Sequence, residues 1–137
     1  AKSSGRVDVF GGFEGGKWMP YKSMSLKDYR FQIVVENDIT PYYFTEKILD
    51  CFAAMTIPVY LGARRIGDFF NPDGIITIDK DSSIESILCQ CTEESYKERL
   101  DAVKENFRRV LRYWSVDDML YETFFMSGKG ECDGIFK

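Results

Sequence analysis

The chain has 137 residues, of which 45% are hydrophobic and 15% aromatic, so it can bury one core and is long enough for about one domain. Its 18 basic and 22 acidic residues give a net charge of −4, which argues against sequence-independent nucleic-acid binding because that binding needs a positive field. Histidine is absent, which excludes Ser-His-Asp triads, Cys-His pairs and HExxH zinc helices, so any chemistry must use carboxylate, tyrosine, lysine or backbone groups.

The first predicted element is a strand over residues 7–10, followed by a glycine-rich exposed loop. Gly11, Gly16 and Lys17 have the spacing of a phosphate-binding P-loop. Trp18 stands where that motif needs Ser or Thr, and Pro20 prevents the helix that should follow. We therefore reject a P-loop. The chain begins without Met, and we expect further sequence upstream.

A βαβ unit comes next. Apolar, β-branched runs predict strands over residues 31–36, 57–61 and 74–79. Between the first two strands, apolar side chains at helical spacing predict a helix over residues 45–55, with Thr45 able to cap its first turn. Apolar strands separated by helices predict an α/β fold with a parallel, Rossmann-like sheet covered on both faces. We expect the first two strands to be adjacent inner strands joined by a right-handed crossover.

The second half of the chain is predicted to be helical. A short helix is indicated over residues 83–88 and a long amphipathic helix over residues 92–114. A last helix is predicted over residues 116–125, with Ser115 as its N-cap.

The spacing of potential metal ligands does not support a metal site. Asp79, Asp81 and Ser83 stand at the first, third and fifth positions of a calcium loop. Ile84 and Gln90 occupy the positions where that loop needs Gly and Glu. Four cysteines lack the spacing of a zinc knuckle: Cys51, Cys89, Cys91 and Cys132. We expect reduced, buried thiols and no metal.

No repeat or composition shift divides the chain, so we expect a single domain over residues 1–137 with an ordered core of about 7–125. No apolar stretch predicts a membrane span or signal peptide. The lack of a disulfide pattern and of a signal peptide favours a cytoplasmic location of bacterial type, and a Golgi lumenal domain would share these features. If an amino-terminal half is missing, we also expect exposed apolar surface near the carboxyl ends of the strands and on part of the last helix, such as Trp18, Phe124 or Phe125, that this half or a partner chain would cover.

Residues 36–47 carry the functional signal. They run from the carboxyl end of a strand to the first turn of a helix, which is where ligands bind in open α/β sheets. Free N–H groups and the helix dipole favour a phosphate there. Lys47 opposes that dipole, and a bound anion beside it would explain its position. The alternative is a solvated Lys47, with Glu46 balancing the dipole.

Three motifs occur in and beside this stretch: Phe31-x-Ile33-x-x-Glu36-Asn37, Tyr43-x-Thr45-Glu46-Lys47 and Ile57-Pro58-Val59-Tyr60-x-Gly62. Together with flanking segments at residues 7–11, 26–31 and 71–72, they resemble the signature of the α1,3/α1,4-fucosyltransferases, glycosyltransferase family 10. The sequence departs from that pattern at Asp38, Phe44 and Ala63.

The resemblance implies the carboxyl-terminal half of a GT-B glycosyltransferase, which holds the GDP of GDP-fucose for inverting fucosyl transfer to a glycan acceptor without a metal or other cofactor. The donor-binding residues that it implies are Asn37, Tyr43, Glu46 and Lys47. Lys47 would neutralise diphosphate charge, Tyr43 and Asn37 would donate to phosphate oxygens, and Glu46 would accept from ribose hydroxyls. The catalytic base is expected on an amino-terminal half, so none is assigned in this chain.

Two other functions stay open from the sequence. The chain could be a non-catalytic nucleotide-binding or interaction module, because a fold does not fix a function. It could also belong to a GT-B transferase that uses another nucleotide sugar, since the donor base is not readable from these residues.

Overall fold

The computed structural model describes residues 7–10, 16–18, 20–21 and 25–113. Its strands and helices in chain order are β1 (Phe31–Val35), α1 (Glu46–Ala53), β2 (Ile57–Leu61), β3 (Ile76–Thr77), α2 (Ile84–Gln90) and α3 (Glu93–Val110). Short 3₁₀ turns lie at Ile66–Asp68, Pro72–Gly74 and Leu111–Tyr113. Among these described residues, no helix is long and apolar enough to cross a membrane.

The three strands form a parallel sheet in the order β1-β2-β3. In β1 and β2, Phe31 pairs with Ile57 and Val35 with Leu61. The predicted α/β class, the parallel sheet and the adjacency of the first two strands are therefore confirmed. Only β2 has a strand on each side among the described residues, so β1 is not an inner strand here. The handedness of the α1 crossover stays a prediction.

Apolar side chains pack on both faces of the sheet. Neighbouring residues of a strand point to opposite faces, so Tyr60 joins the cluster under α1 and Val59 joins the cluster under α2 and α3. Both side chains are almost fully buried. Coverage is incomplete at β1, where Ile33 is 36% exposed and Val35 is 50% exposed. The prediction of a sheet covered on both faces therefore holds for β2 and fails for part of β1.

Residues 7–10 differ from the predicted strand. Within the described part of the chain they form only one isolated bridge, between Phe10 and Lys17. The carboxylate of Asp8 instead accepts hydrogen bonds from Lys17 Nζ and from the Tyr29 hydroxyl, the latter at 2.6 Å. Side-chain contacts therefore hold this segment where a strand ladder was expected. Trp18 is 82% exposed, as predicted, while Phe124 and Phe125 lie outside the described residues.

The start and end of α1 have local causes. Thr45 is its N-cap, as predicted, because its hydroxyl accepts a hydrogen bond from the N–H of Lys47. The helix ends at Ala53, two residues before the predicted end, and Met55 adopts a left-handed φ of 58°. A non-glycine residue in that region interrupts the helical path, so the chain turns there into β2.

The third predicted strand is shorter than expected. Gly74 belongs to a 3₁₀ turn that Asn71 caps, so only Ile76–Thr77 pairs with β2. The turn packs closely on α3, because a Cβ at Gly74 would lie 2.7 Å from Nδ2 of Asn106. Contacts with a distant helix therefore override the local strand pattern.

The two described helices of the second half each begin one residue later than predicted, because the predicted first residue acts as the N-cap. Ser83 caps α2 and Thr92 caps α3, each by accepting an N–H from the third residue on. The long helix ends at Val110 and continues only as the Leu111–Tyr113 turn. The helix predicted over residues 116–125 lies outside the described residues.

The three described cysteines differ in burial. Cys51 is buried under the sheet, while Cys89 is exposed and Cys91 half-buried. Cys89 lies two residues beyond the buried Ile87, and this spacing turns it away from the packed face of α2. The prediction of buried thiols is therefore wrong for Cys89. Cys132 lies outside the described residues.

Candidate functional site

The candidate site lies where β1 ends and α1 begins. Glu36 directly follows β1, and its N–H donates to the carbonyl of Leu61 at 2.9 Å, which extends the pairing with β2 by one residue. Residues 37–45 then lead to the helix. Two loops therefore leave adjacent strands at one edge of the sheet, the position at which open α/β sheets bind ligands.

Backbone hydrogen bonds tie these two loops together. The N–H of Arg64 donates to the carbonyl of Thr40 at 3.3 Å, and the N–H of Arg65 donates to the carbonyl of Pro41 at 2.8 Å. The loop after β2 is therefore bonded to the loop after β1, and residues from both can contribute to one site.

Lys47 reaches back from the first turn of α1 to the end of β1. Its ammonium group donates to the carbonyl of Val35 at 3.1 Å and to Oδ1 of Asn37 at 3.3 Å. It also lies 3.5 Å from Oε2 of Glu36. One third of the Lys47 side chain remains exposed, so a ligand can still contact it. The structure thus brings Asn37 and Lys47 together at the edge of the sheet.

Tyr43 and Glu46 are exposed, Tyr43 on the loop before α1 and Glu46 at the first residue of α1. The N–H of Tyr43 donates to the hydroxyl of Thr40 at 3.3 Å, which fixes its backbone in the loop. Its side chain forms no hydrogen bond with Asn37 or Lys47 among the described residues. Glu46 occupies the first turn of α1, where the helix dipole stabilises a carboxylate. Donor binding by these four residues stays a prediction.

Glu36 is the residue of this site to which the sequence prediction gave no role. Its side chain is 0% exposed. Oε1 accepts from the N–H of Thr45 at 2.9 Å, and Oε2 accepts from the Thr45 hydroxyl at 2.8 Å. A buried carboxylate needs such partners, since its loss of hydration otherwise costs several kcal/mol. Glu36 therefore fastens the N-cap of α1, and with it Lys47, to the end of β1. In the sequence, the position of Glu36 directly after an apolar strand was the feature that could have indicated a role in the site.

Tyr60 and Gly62, at the end of β2, lie close to the Glu36 side chain. The buried Tyr60 hydroxyl accepts from the N–H of Ala63 at 3.1 Å. Burial raises the pKa of Tyr60 to about 12, and the negative charge of Glu36 acts in the same direction. A Cβ at Gly62 would lie 2.3 Å from the Tyr60 hydroxyl oxygen and 2.6 Å from Cγ of Glu36. This close approach requires glycine at position 62.

An open depression of about 800 Å³ lies at the carboxyl ends of β2 and β3. It is lined by residues 62–64 after β2, residues 79–82 after β3, and Ile39 from the loop after β1. A second depression, of about 720 Å³, lies between residues 7–10, β1 and α2 and has mainly apolar walls. The first depression adjoins the loop that carries Asn37, so it is the better candidate for a polar ligand.

Among the described residues, no group of three or more Cys, Asp or Glu side chains is placed to hold a metal ion. The polar side chains of the candidate site are instead one lysine, one amide, one tyrosine and the carboxylates of Glu36 and Glu46.

Comparisons with known proteins bear on this site. An alpha-(1,4)-fucosyltransferase of Arabidopsis thaliana is 28% identical over 52% of this chain and 18% of its own length. A 4-galactosyl-N-acetylglucosaminide 3-alpha-L-fucosyltransferase of Pan troglodytes is 29% identical over 96% of this chain and 35% of its own length. An alpha-(1,3)-fucosyltransferase of Helicobacter pylori is 35% identical over 42% of this chain and 12% of its own length.

The chain thus spans about a third or less of these relatives. No solved structure shows a significant match. The family model for the carboxyl-terminal region of glycosyltransferase family 10 (fucosyltransferase) matches residues 2–116, which include β1, β2, α1 and the whole candidate site. Since this match covers most of the sequence, the chain belongs to glycosyltransferase family 10, the fucosyltransferases.

Proposed function

We propose that this chain binds the nucleotide diphosphate of GDP-fucose and holds it for inverting transfer of fucose to a glycan acceptor. The observation that carries the proposal is the contact between Asn37 and Lys47 at the start of α1, beside the carboxyl end of β1. Family membership supports fucosyl transfer as the reaction. The chain would form the donor-binding half of a GT-B enzyme.

The chemistry of the site fits a diphosphate leaving group. In an inverting transfer, a base removes the proton of an acceptor hydroxyl, the oxygen attacks the anomeric carbon, and GDP departs with the bonding electrons. Negative charge then builds on the phosphate next to the sugar. The ammonium of Lys47 and the positive end of the α1 dipole would stabilise that charge.

Asn37 and the exposed residues of the loop would complete the donor site. Because Oδ1 of Asn37 accepts from Lys47, its NH₂ group can donate to a phosphate oxygen. The Tyr43 hydroxyl would donate to a second phosphate oxygen, and the Glu46 carboxylate would accept from ribose hydroxyls. We assign no catalytic base to this chain and place it on an amino-terminal half. No metal is required in this scheme.

Calorimetric titration of GDP into the full-length protein and its Lys47→Ala variant tests the proposal. A charge-assisted contact to phosphate typically contributes about 1.5–3 kcal/mol, so the variant should bind roughly ten- to a hundredfold more weakly. Lys97→Ala is the matched control, since Lys97 pairs with Glu93 on α3 at 2.9 Å and lies outside the site. Its affinity for GDP should equal that of the wild type.

A second variant separates binding from folding. Lys47→Ala leaves the buried Glu36 carboxylate without its cation, whereas Asn37→Ala removes an exposed side chain and leaves that pair intact. Asn37→Ala should also weaken GDP binding, by about three- to tenfold. Titrations with UDP and with added chelator test the donor base and the absence of a metal requirement. Unchanged GDP affinity in both variants would refute the donor site.

A further inference from the structure

Lys47 alone does not provide a net positive site. Its ammonium group is paired with Glu36, and residues 36–47 contain three carboxylates and this single lysine. A nucleotide diphosphate brings at least two further negative charges to the same loop. Like charges at close range repel, so the proposed donor site requires a cation from another segment.

The loop after β2 carries cationic side chains at the same edge of the sheet as Asn37 and Lys47. Arg64 is exposed and lines the 800 Å³ depression, and its N–H is bonded to the carbonyl of Thr40 at 3.3 Å. This bond anchors the residue to the loop that carries Asn37. A guanidinium group presents five donors in a planar fork that matches two phosphate oxygens at once.

Arg65, the next residue, is already engaged. Its Nε lies 2.8 Å from Oδ2 of Asp68, and its guanidinium carbon lies 5.4 Å from the centre of the Tyr42 ring. Arg64 forms no ion pair or ring contact in the described part of the chain. The two adjacent arginines thus differ: of the two, Arg64 lines the depression and has no ion-pair partner among the described residues, whereas Arg65 is paired with Asp68.

Lys80 lines the same depression, on the loop after β3. Asp79 and Asp81 flank it and also line the depression, so that loop is net negative. Arg64 is therefore the side chain best placed to offset the repulsion.

We propose that Arg64 is a second cationic contact for the diphosphate of the donor, acting from the loop after β2 across the depression. This inference rests on the proposed donor site and adds a residue to it. Arg64 would bind phosphate oxygens that Lys47, held by Glu36, does not neutralise.

The test measures binding of GDP and of guanosine to the full-length protein by calorimetry and competition. Arg64→Ala should weaken GDP binding about tenfold and change guanosine binding less than twofold, because guanosine has no phosphate. Arg64→Lys should keep part of the affinity, since it retains the charge but loses the fork. Arg65→Ala is the control and should stay within about twofold of the wild type for GDP.

The outcomes separate this inference from the proposed function. If Lys47→Ala weakens GDP binding while Arg64→Ala stays within twofold of the wild type, the Arg64 assignment is wrong and the donor site stands. If Arg64→Ala and Arg65→Ala weaken GDP binding equally, the effect comes from the total positive charge of the loop. The assignment of a specific contact to Arg64 is then also wrong. If neither Lys47→Ala nor Arg64→Ala weakens binding, the donor site itself is wrong.

Discussion

Replacing Thr45 by Val removes one hydroxyl that joins the end of β1 to the start of α1. That hydroxyl donates to Oε2 of the buried Glu36 at 2.8 Å and accepts from the N–H of Lys47 at 3.4 Å. Valine has nearly the same shape, so the substitution tests the two hydrogen bonds and leaves the packing almost unchanged.

The expected cost follows from these two bonds. A partly buried hydrogen bond to a charged acceptor contributes about 1.5–3 kcal/mol. The N-cap bond is long at 3.4 Å, so its loss should cost about 0.5–1 kcal/mol, the low end for helix caps. Thr45→Val should therefore lower the free energy of unfolding by about 2–4 kcal/mol and the melting temperature by roughly 6–16 °C.

Urea and thermal denaturation, followed by circular dichroism, measure this loss. Thr45→Ser keeps the hydroxyl and should stay within about 1 kcal/mol of the wild type. The reasoning fails if Thr45→Val unfolds at the wild-type midpoint, or if Thr45→Ser is destabilised as much as Thr45→Val. In either case the hydroxyl would not be what anchors α1 to Glu36.

Two further predictions concern stability. Gly74→Ala should cost about 1–3 kcal/mol, because the new Cβ would lie 2.7 Å from Nδ2 of Asn106 and 3.2 Å from the Ala102 backbone. Gly67→Ala, whose nearest neighbour would be 3.9 Å away, should melt within a few degrees of the wild type, and equal melting of the two variants would contradict the packing argument. Burial raises the pKa of Tyr60 to about 12, so its contribution to stability is fully present below the ordinary value of 10.0 and is lost as the pH rises through 12. Urea unfolding across this range should show a shallower alkaline loss for Tyr60→Phe than for the wild type, and identical slopes would contradict it.

The βαβ unit was predictable because its signals are local. Apolar runs of strand length and one amphipathic helix behind Thr45 define β1, α1 and β2 without any knowledge of their neighbours. Lys47 and Asn37 were predictable as a pair for the same reason, since a short loop joins their two elements.

Features that depend on distant contacts were not predictable. The third strand shortens because Gly74 packs on Asn106, a residue of α3 more than thirty positions away. Glu36 was part of a motif, but its burial and its bonds to Thr45 appear only when the loop closes back on the strand end. The side of α2 on which Cys89 lies also depends on which face packs against the sheet.

The hydrogen bond between Glu36 and Leu61 makes the position of Glu36 depend on the register of β1 against β2. If β1 slipped by one position against β2, every side chain of β1 would change face, and Glu36 would point into the apolar cluster under α2 and α3. The anchor of Lys47 would be lost in the same step, although no loop residue had changed. The positions of the two loops thus depend on the register of β1 against β2. A substitution at the pair Phe31 and Ile57, far from the site, can therefore displace Lys47 and the loops around it.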